Sequence, residues 1–294
     1  MLENCLSISP SRICDFYRWH GERKRSVMPS ISLNNLADNR HKGKMSKNAT
    51  KRMSNAIDWL LAYATDKKVF SPKYGKKFNF LIGFVTLTLS SKQIHSDKEI
   101  KKKLLHQFLT ECRWRWGVIH FVWKAERQKN GNIHFHIVTD KFIPYKKLRE
   151  CWNRIQNKLG YVSRFAEVNN HCDPNSTDIH SVASIKNVAL YIKKYMSKHE
   201  DEEQIEGNIW GLSYSLSKSK PLIISVENDV QRHFSYLKEM FSDQWKELEY
   251  CGLLFVNFRD YISQKKNIIV GQFLEHVSYW RDYWCSGQFS IKVS

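Results

Sequence analysis

The chain has 294 residues, of which 47 are Lys or Arg and 29 Asp or Glu, giving a formal net charge of +18. A hydrophobic fraction of 42% with 13% aromatics excludes a wholly disordered chain, and the basic balance points to a polyanionic partner, nucleic acid ahead of a membrane surface. The seven cysteines (Cys5, Cys14, Cys112, Cys151, Cys172, Cys251 and Cys285) are scattered and form no C-x-x-C, which speaks against a disulfide framework or a zinc-finger site and fits a reducing cytoplasm.

In chain order, residues 1–77 read as a basic N-terminal extension, with sixteen basic residues against six acidic. "MLENCLSISPSRICDF" lacks the charged start and long apolar core of a signal peptide. "HGERKRS" and "NRHKGKMSK" read as solvated loops or a DNA-touching arm. "SKNATKRMSNAIDWLLAYATD" has Ala56, Ile57, Leu60, Leu61 and Ala64 at helical spacing and is expected to pack on the domain that follows.

Residues 78–206 form the expected core. "NFLIGFVTLTLS" (79–90) is β-branched and aromatic, hence one buried strand. "SDKEIKKKLLHQFLTECRWRW" opens on a Ser/Asp cap and carries Ile100, Leu104, Leu105, Phe108 and Leu109: a helix. "GVIHFVWKAERQ" and "GNIHFHIVTD" read as a hairpin around Asn130-Gly131. "IPYKKLRECWNRIQNKLG" is a helix between Pro144 and Gly160. "YVSRFAEV" and "TDIHSVAS" read as short strands, "SIKNVALYIKKYMSK" as a helix, and the acidic "HEDEEQIEGN" as a loop. The order β-α-β-β-α-β-β-α gives an α+β domain with a central, mainly antiparallel sheet and flanking helices. Residues 207–294 read as an accessory C-terminal region. No run of eighteen apolar residues predicts a membrane span.

Alternation along a strand puts His134 and His136 on one face, with Phe135 on the other. A three-residue loop Lys129-Asn130-Gly131, with Gly131 left-handed, sets Gln128 opposite Asn132, Arg127 opposite Ile133 and Glu126 opposite His134. A two-residue Asn-Gly turn sets Arg127 there instead and turns Glu126 away. The three-residue loop is the preferred reading, and it gathers a carboxylate and two imidazoles, an open set for Mg²⁺ or Mn²⁺. Two ordinary surface or core histidines would look the same in sequence. "NVALYIKKYMSK" places Tyr191 and Tyr195 four apart on one helical face, with Lys194 and Lys198 each three after a tyrosine. A cation beside a phenol favours the phenolate and offsets charge at a reacting phosphate. A helix with packed tyrosines and solvated lysines has the same pattern.

"FVTLTLS", "HFHIV" and "YIKKYMSK", in that order, resemble the three motifs of the HUH-endonuclease superfamily, in particular rolling-circle replication initiators of microvirus-type phages and related bacterial elements. The likeness spans roughly residues 79–200, and Trp210-Gly211-Leu212-Ser213 is similar to a segment that follows the tyrosines there. The resemblance implies an RRM-like core and an enzyme that nicks and rejoins one strand of single-stranded or hairpin origin DNA. It implies that His134, His136 and Glu126 hold a divalent metal and that Tyr191 attacks phosphorus to give a 5′-phosphotyrosine and a 3′-hydroxyl primer. Tyr195 is then the nucleophile of the next round, and Lys194 or Lys198 assists. The G-x-x-x-x-G-K-[ST] loop of relatives with a helicase domain does not occur, so a host helicase, and with it a DNA polymerase, are expected partners in a bacterial cytoplasm.

Arg113, Arg115, Lys124, Arg127, Lys129 and Arg164, with the basic N-terminal segment, are the candidate phosphate contacts. In "RWRW" (113–116), Trp114 or Trp116 is expected to close the core at a helix end, with stacking on unpaired bases as the alternative. A transposase or mobilisation relaxase uses the same chemistry. A non-enzymatic nucleic-acid-binding protein and a small-substrate metal hydrolase are the readings from other classes.

Overall fold

The computed structural model describes residues 2–21, 45–71, 75–181, 193, 194, 196 and 205–286. The chain divides into two compact units, one from the described residues of Met1–Arg40 and Lys218–Ser294, the other from those of His41–Ser217. These boundaries differ from those drawn at 77 and 206 in the sequence.

Residues 2–19 are not a broken basic arm. They form β1 (Leu2–Ser9) and β2 (Arg12–Trp19), a hairpin closed over Pro10 and Ser11 with Ser9 facing Arg12. Most of "HGERKRS" and "NRHKGKMSK" lies outside the described residues.

The second unit begins with α1 (Lys47–Tyr63), whose Ser46 Oγ accepts the Ala49 amide at 3.1 Å. This cap supplies a partner for one otherwise unpaired amide of the first turn. β3 (Lys67–Ser71) and β4 (Lys76–Phe80) pair with each other. β5 (Gly83–Leu87) is a separate strand, so "NFLIGFVTLTLS" is two elements rather than one. Phe80, Leu81 and Ile82 are all buried, and a continuous apolar run carries no alternation to mark the break.

α2 (Asp97–Ile100), a π-helical turn at Lys101–Leu105, and α3 (His106–Trp116) form one continuous rod. Ser96 Oγ caps it and Gly117 ends it at φ 64°. β6 (Phe121–Arg127) and β7 (Ile133–Thr139) form the hairpin, and α4 (Tyr145–Gln156) starts after Pro144. "YVSRFAEV" is α5 (Tyr161–Asn169), not a strand. Tyr161 and Val162 point inward while Ser163 and Glu167 are exposed, an i, i+1, i+4 grouping that includes Phe165 and is helical rather than alternating. Lys193, Lys194 and Met196 have helical backbone, in line with the helix expected there. The unit closes with β8 (Thr177–Ser181), β9 (Trp210–Leu212) and α6 (Tyr214–Lys218). Trp210–Leu212 thus belongs to the core sheet and not to an accessory region.

The sheet order is β8-β5-β7-β6-β9, every pairing antiparallel. One face packs on α3 and α4: Trp152 meets Phe135 edge-on at 6.5 Å and Phe108 at 5.8 Å. All three are fully buried, and each such side chain contributes about 1.5–3 kcal/mol. With Phe135 committed to that face, the flanking histidines must face the other way.

The first unit adds β10 (Leu222–Ser225), α7 (Asn228–Met240), β11 (Trp245–Glu247), β12 (Cys251–Leu254), α8 (Phe258–Ser263) and α9 (Ile268–Cys285). Its sheet runs β10-β1-β2-β12-β11, again antiparallel. Leu6, Ile8, Ile13, Leu254, Phe234 and Phe273 are buried within it. Among the described residues no helix is long and apolar enough to cross a membrane, and all seven cysteines are unpaired.

Candidate metal centre

The hairpin turn has the three-residue form. Gln128 N donates to Asn132 O at 2.8 Å, Gly131 N donates to Gln128 O at 2.8 Å, and Gly131 sits at φ 81°. A side chain is strained at that φ, which explains the glycine. Asn130 Oδ1 accepts the Asn132 amide at 3.0 Å. The register that follows sets Glu126 opposite His134 and Lys124 opposite His136.

The turn is clamped from outside. Asn132 Oδ1 accepts from Gln93 N at 2.8 Å, and Asn132 Nδ2 donates to Ser91 O at 3.0 Å. Gln93 Oε1 accepts from Ile133 N at 2.7 Å. Arg127 reaches Asp97 through two nitrogens, at 2.6 and 2.8 Å. Strand, loop and helix start are thereby locked in one register, and the cluster depends on that register.

On the opposite face, ligand atoms of Glu126, His134 and His136 all lie within 4.8 Å of one another. Glu126 Oε2 is 3.2 Å from His136 Nε2 and 3.5 Å from His134 Nε2. A cation at about 2.1 Å from each ligand separates neighbouring ligand atoms by roughly 3.0–3.4 Å. The rings stand 4.5 Å apart at 73°. Thr86, in register with His136 on β5, has its Oγ1 3.1 Å from His136 Nδ1. That contact turns Nε2 toward Glu126, and because the Thr86 hydroxyl can accept as well as donate, it is compatible with the tautomer that leaves Nε2 free for a metal. The other carboxylate oxygen, Oε1, accepts from Lys124 Nζ.

Electrostatics suit the group. Burial raises the Glu126 carboxyl pKa, but the close imidazoles of His134 and His136 and the Lys124 ammonium outweigh it and hold the group well below the usual carboxylate range. Burial pushes the His136 imidazole down, against the pull of Glu126. An ionised carboxylate and a neutral imidazole are the forms a metal requires. Both ring nitrogens of His134 are buried with no hydrogen bond of good geometry among the described residues, an arrangement that a coordinated cation relieves. The residues present therefore fit a divalent ion held by one oxygen and two nitrogens.

The remaining predicted residues are distributed differently. Tyr191, Tyr195 and Lys198 lie outside the described residues, and Lys194 is exposed. Its neighbour Lys193, not singled out by sequence, binds buried Asp58 of α1 at 2.7 Å. α1 also approaches the site face, because Arg52 sits 5.8 Å from the ring of Trp210, the register partner of Lys124. Lys193 is thus fastened to a helix on the same side of the sheet as Glu126, His134 and His136.

Among the proposed phosphate contacts, Lys129 is exposed at the hairpin tip. Lys124 is buried in the cluster and Arg127 in its pair with Asp97, so neither is a free surface cation. Arg164 donates to Leu159 O at 3.0 Å and lies 4.9 Å over the Tyr161 ring, a local helix contact. Arg113 and Arg115 are exposed on α3, in the layer behind the sheet, with Arg115 paired to Glu111 at 2.8 Å. Trp114 is 81% exposed and does not close the core. Thr86, Asp58 and the inward role of Lys124 were missed. Strand alternation from Glu126 would have put Lys124 on the ligand face, whereas the Thr86 contact needs the β5–β7 register.

Residues 82–200 match the model of the replication-associated protein ORF2 family. The matched stretch contains β5, the hairpin with its three ligands, and the tyrosine segment, so this part of the chain is similar to replication-associated proteins. A search of curated proteins and one of solved structures gave no match.

Proposed function

We propose that the protein is a metal-dependent DNA nickase that initiates rolling-circle replication through the HUH chemistry. The observation that carries the reading is the convergence of Glu126, His134 and His136 within 4.8 Å, inside the stretch that matches replication-associated proteins. The ion pair between Lys193 and Asp58 of α1 supports a tyrosine helix on the same side.

Glu126 Oε2, His134 Nε2 and His136 Nε2 hold Mg²⁺ or Mn²⁺, with Thr86 fixing the His136 ring. The bound ion supplies charge neutralisation and polarises the scissile phosphate. Tyr191 is the first nucleophile: its phenolate oxygen forms the bond to phosphorus as the bond from phosphorus to the 3′-oxygen breaks. The leaving oxygen takes up a proton and becomes the 3′-hydroxyl primer, while the 5′ end stays on tyrosine. Tyr195 repeats the transfer when the new circle is closed, and Lys194 or Lys198 offsets phenolate charge. A flexible single strand is the substrate, because the phosphate must reach a sheet face; strand opening falls to a separate helicase, and synthesis to a host polymerase.

The test is incubation of the full-length protein with single-stranded hairpin origin DNA and Mn²⁺, read as a covalent adduct on a denaturing gel. Tyr191→Phe should remove the first-round adduct and Tyr195→Phe should spare it. No adduct with any single-stranded origin, or one that survives Tyr191→Phe and Tyr195→Phe together, defeats the proposal.

A further inference from the structure

Lys124 is the one cation inside the cluster among the described residues. It precedes Glu126 by two on β6 and so shares its face. It is 4% exposed, and its Nζ meets Glu126 Oε1, the oxygen turned away from the imidazoles. Lysine is rarely so buried without a partner. Here the partner is the one carboxylate of the ligand set.

The consequence is a charge count. Among the described residues of the cluster, Glu126 contributes one negative charge, and the Lys124 ammonium against its Oε1 cancels it. Asp178, in register two strands from His136, is exposed and tied to His180 at 2.6 Å. Arg52 adds further positive charge beyond Lys124, over Trp210. A divalent ion seated here leaves about two uncompensated positive charges in a largely buried spot, which is costly unless an anion shares it. Water in the open coordination positions does not supply that charge, and a neutral ligand does not either. A phosphodiester supplies one negative charge, shared by its two non-bridging oxygens, and so cancels about half of the excess.

We infer that Lys124 is a specificity-determining residue that makes divalent-metal binding and phosphodiester binding depend on each other. It keeps the metal weakly held until phosphate oxygens arrive, and it favours a phosphodiester over neutral ligands at the open positions. The inference rests on the metal reading of Glu126, His134 and His136 given above. It differs from a scaffolding role for Lys124 in the sign of its effects. Loss of scaffolding weakens both ligands, whereas loss of a like charge tightens the metal and weakens the phosphate.

The experiment titrates Mn²⁺ into the full-length protein by calorimetry, with and without saturating dT12. For the wild type, dT12 should tighten Mn²⁺ binding about tenfold, with an equal reciprocal effect. Lys124→Met should tighten Mn²⁺ about tenfold without dT12, and dT12 should then add less than about threefold. Lys124→Gln, which keeps a hydrogen-bond donor near Glu126, repeats the measurement should the methionine variant unfold, and Lys124→Arg should retain the coupling. A dT12 with neutral methylphosphonate linkages should give the wild type no enhancement, a measurement that needs no variant. The inference is overturned if neutral variants at 124 weaken Mn²⁺ or leave both affinities unchanged, or if the methylphosphonate strand enhances as well as dT12. Absence of any wild-type Mn²⁺ binding sensitive to His136→Ala would instead sink the metal reading itself.

Discussion

The two five-stranded sheets share an antiparallel plan but recruit their strands differently. In the sheet with the candidate metal site, β6 and β7 meet at a three-residue turn closed by Gln128 and Asn132, and that hairpin alone supplies Glu126, His134 and His136. In the other sheet, β1 pairs with β10, Cys5 facing Ser225, and β2 pairs with β12, Cys14 facing Leu253. The first arrangement fixes side-chain geometry through one turn and its clamp. The second depends on segments from opposite ends of the chain meeting, and no group of three metal-ligating side chains forms on it among the described residues. The candidate site lies where the register is set locally and then braced by the Asp97–Arg127 pair and Asn132.

The sharpest way to break the contrast is at the ligands. His136→Ala should lower adduct formation by about a thousandfold or more, since it removes a buried nitrogen donor, while the melting temperature stays near wild type. Next comes the brace. Arg127→Met removes the charged partner of Asp97, which keeps hydrogen bonds only from Gln93 Nε2 and the Glu206 amide, and should cost about 3 kcal/mol in denaturant unfolding. If Arg127 is structural, the salt dependence of DNA binding should keep its slope; a slope reduced by about one would return Arg127 to the phosphate contacts.

How much could be read in advance follows the same division. The hairpin was legible because Asn130-Gly131 marks the turn and side-chain alternation fixes the faces, but turn length was open: Glu126 opposite His134 was the preferred of two registers, the other placing Arg127 there, and the observed turn decides between them. α1, the α2–α3 rod and α4 were legible from their caps and periodic apolar positions. The β1–β2 hairpin was not, because its partners stand more than two hundred residues away and a strand seen without them looks like a polar, broken segment. α5 was misread because Tyr161, Val162 and Phe165 are β-formers by type and helical only by spacing. The Thr86 contact needed the β5–β7 register, whereas the inward turn of Lys124 followed from alternation with Glu126 and was overlooked, and the tyrosine segment falls largely outside the described residues.

Both sheets also use a glycine beneath a tryptophan, which allows the comparison to be made in one kind of substitution. A Cβ at Gly211 would lie 2.6 Å from Trp123 Nε1, and one at Gly252 would run into the Trp245 ring. Alanine at either position should cost about 2–3 kcal/mol through displaced indole packing. Gly211 adjoins Trp210, the register partner of Lys124, so Gly211→Ala should also weaken Mn²⁺ binding in calorimetry, whereas Gly252→Ala should lower stability alone. Equal loss of Mn²⁺ affinity in both would erase the distinction between the sheets.

The smallest expected effect is a pH dependence at the end of β7. Asp140 is buried, and burial raises its carboxyl to about 6, with Lys141 only partly offsetting it. Its Oδ1 accepts the His120 amide at 3.3 Å. Because the folded-state pKa lies above the unfolded one, the folded protein holds this proton where the unfolded chain has lost it. The stabilisation is complete below about pH 4 and is lost as pH rises through about 6. Asp140→Asn keeps an acceptor and removes the charge. The variant should therefore gain stability relative to wild type between pH 4 and 7, on the order of 1–2 kcal/mol, with no further gain at higher pH. Urea unfolding of both proteins at pH 4, 5.5, 7 and 8 measures the difference directly. A difference that does not change with pH would mean that Asp140 ionises in the fold as readily as in the unfolded chain, so that its burial imposes no charge penalty on the end of the ligand-bearing strand.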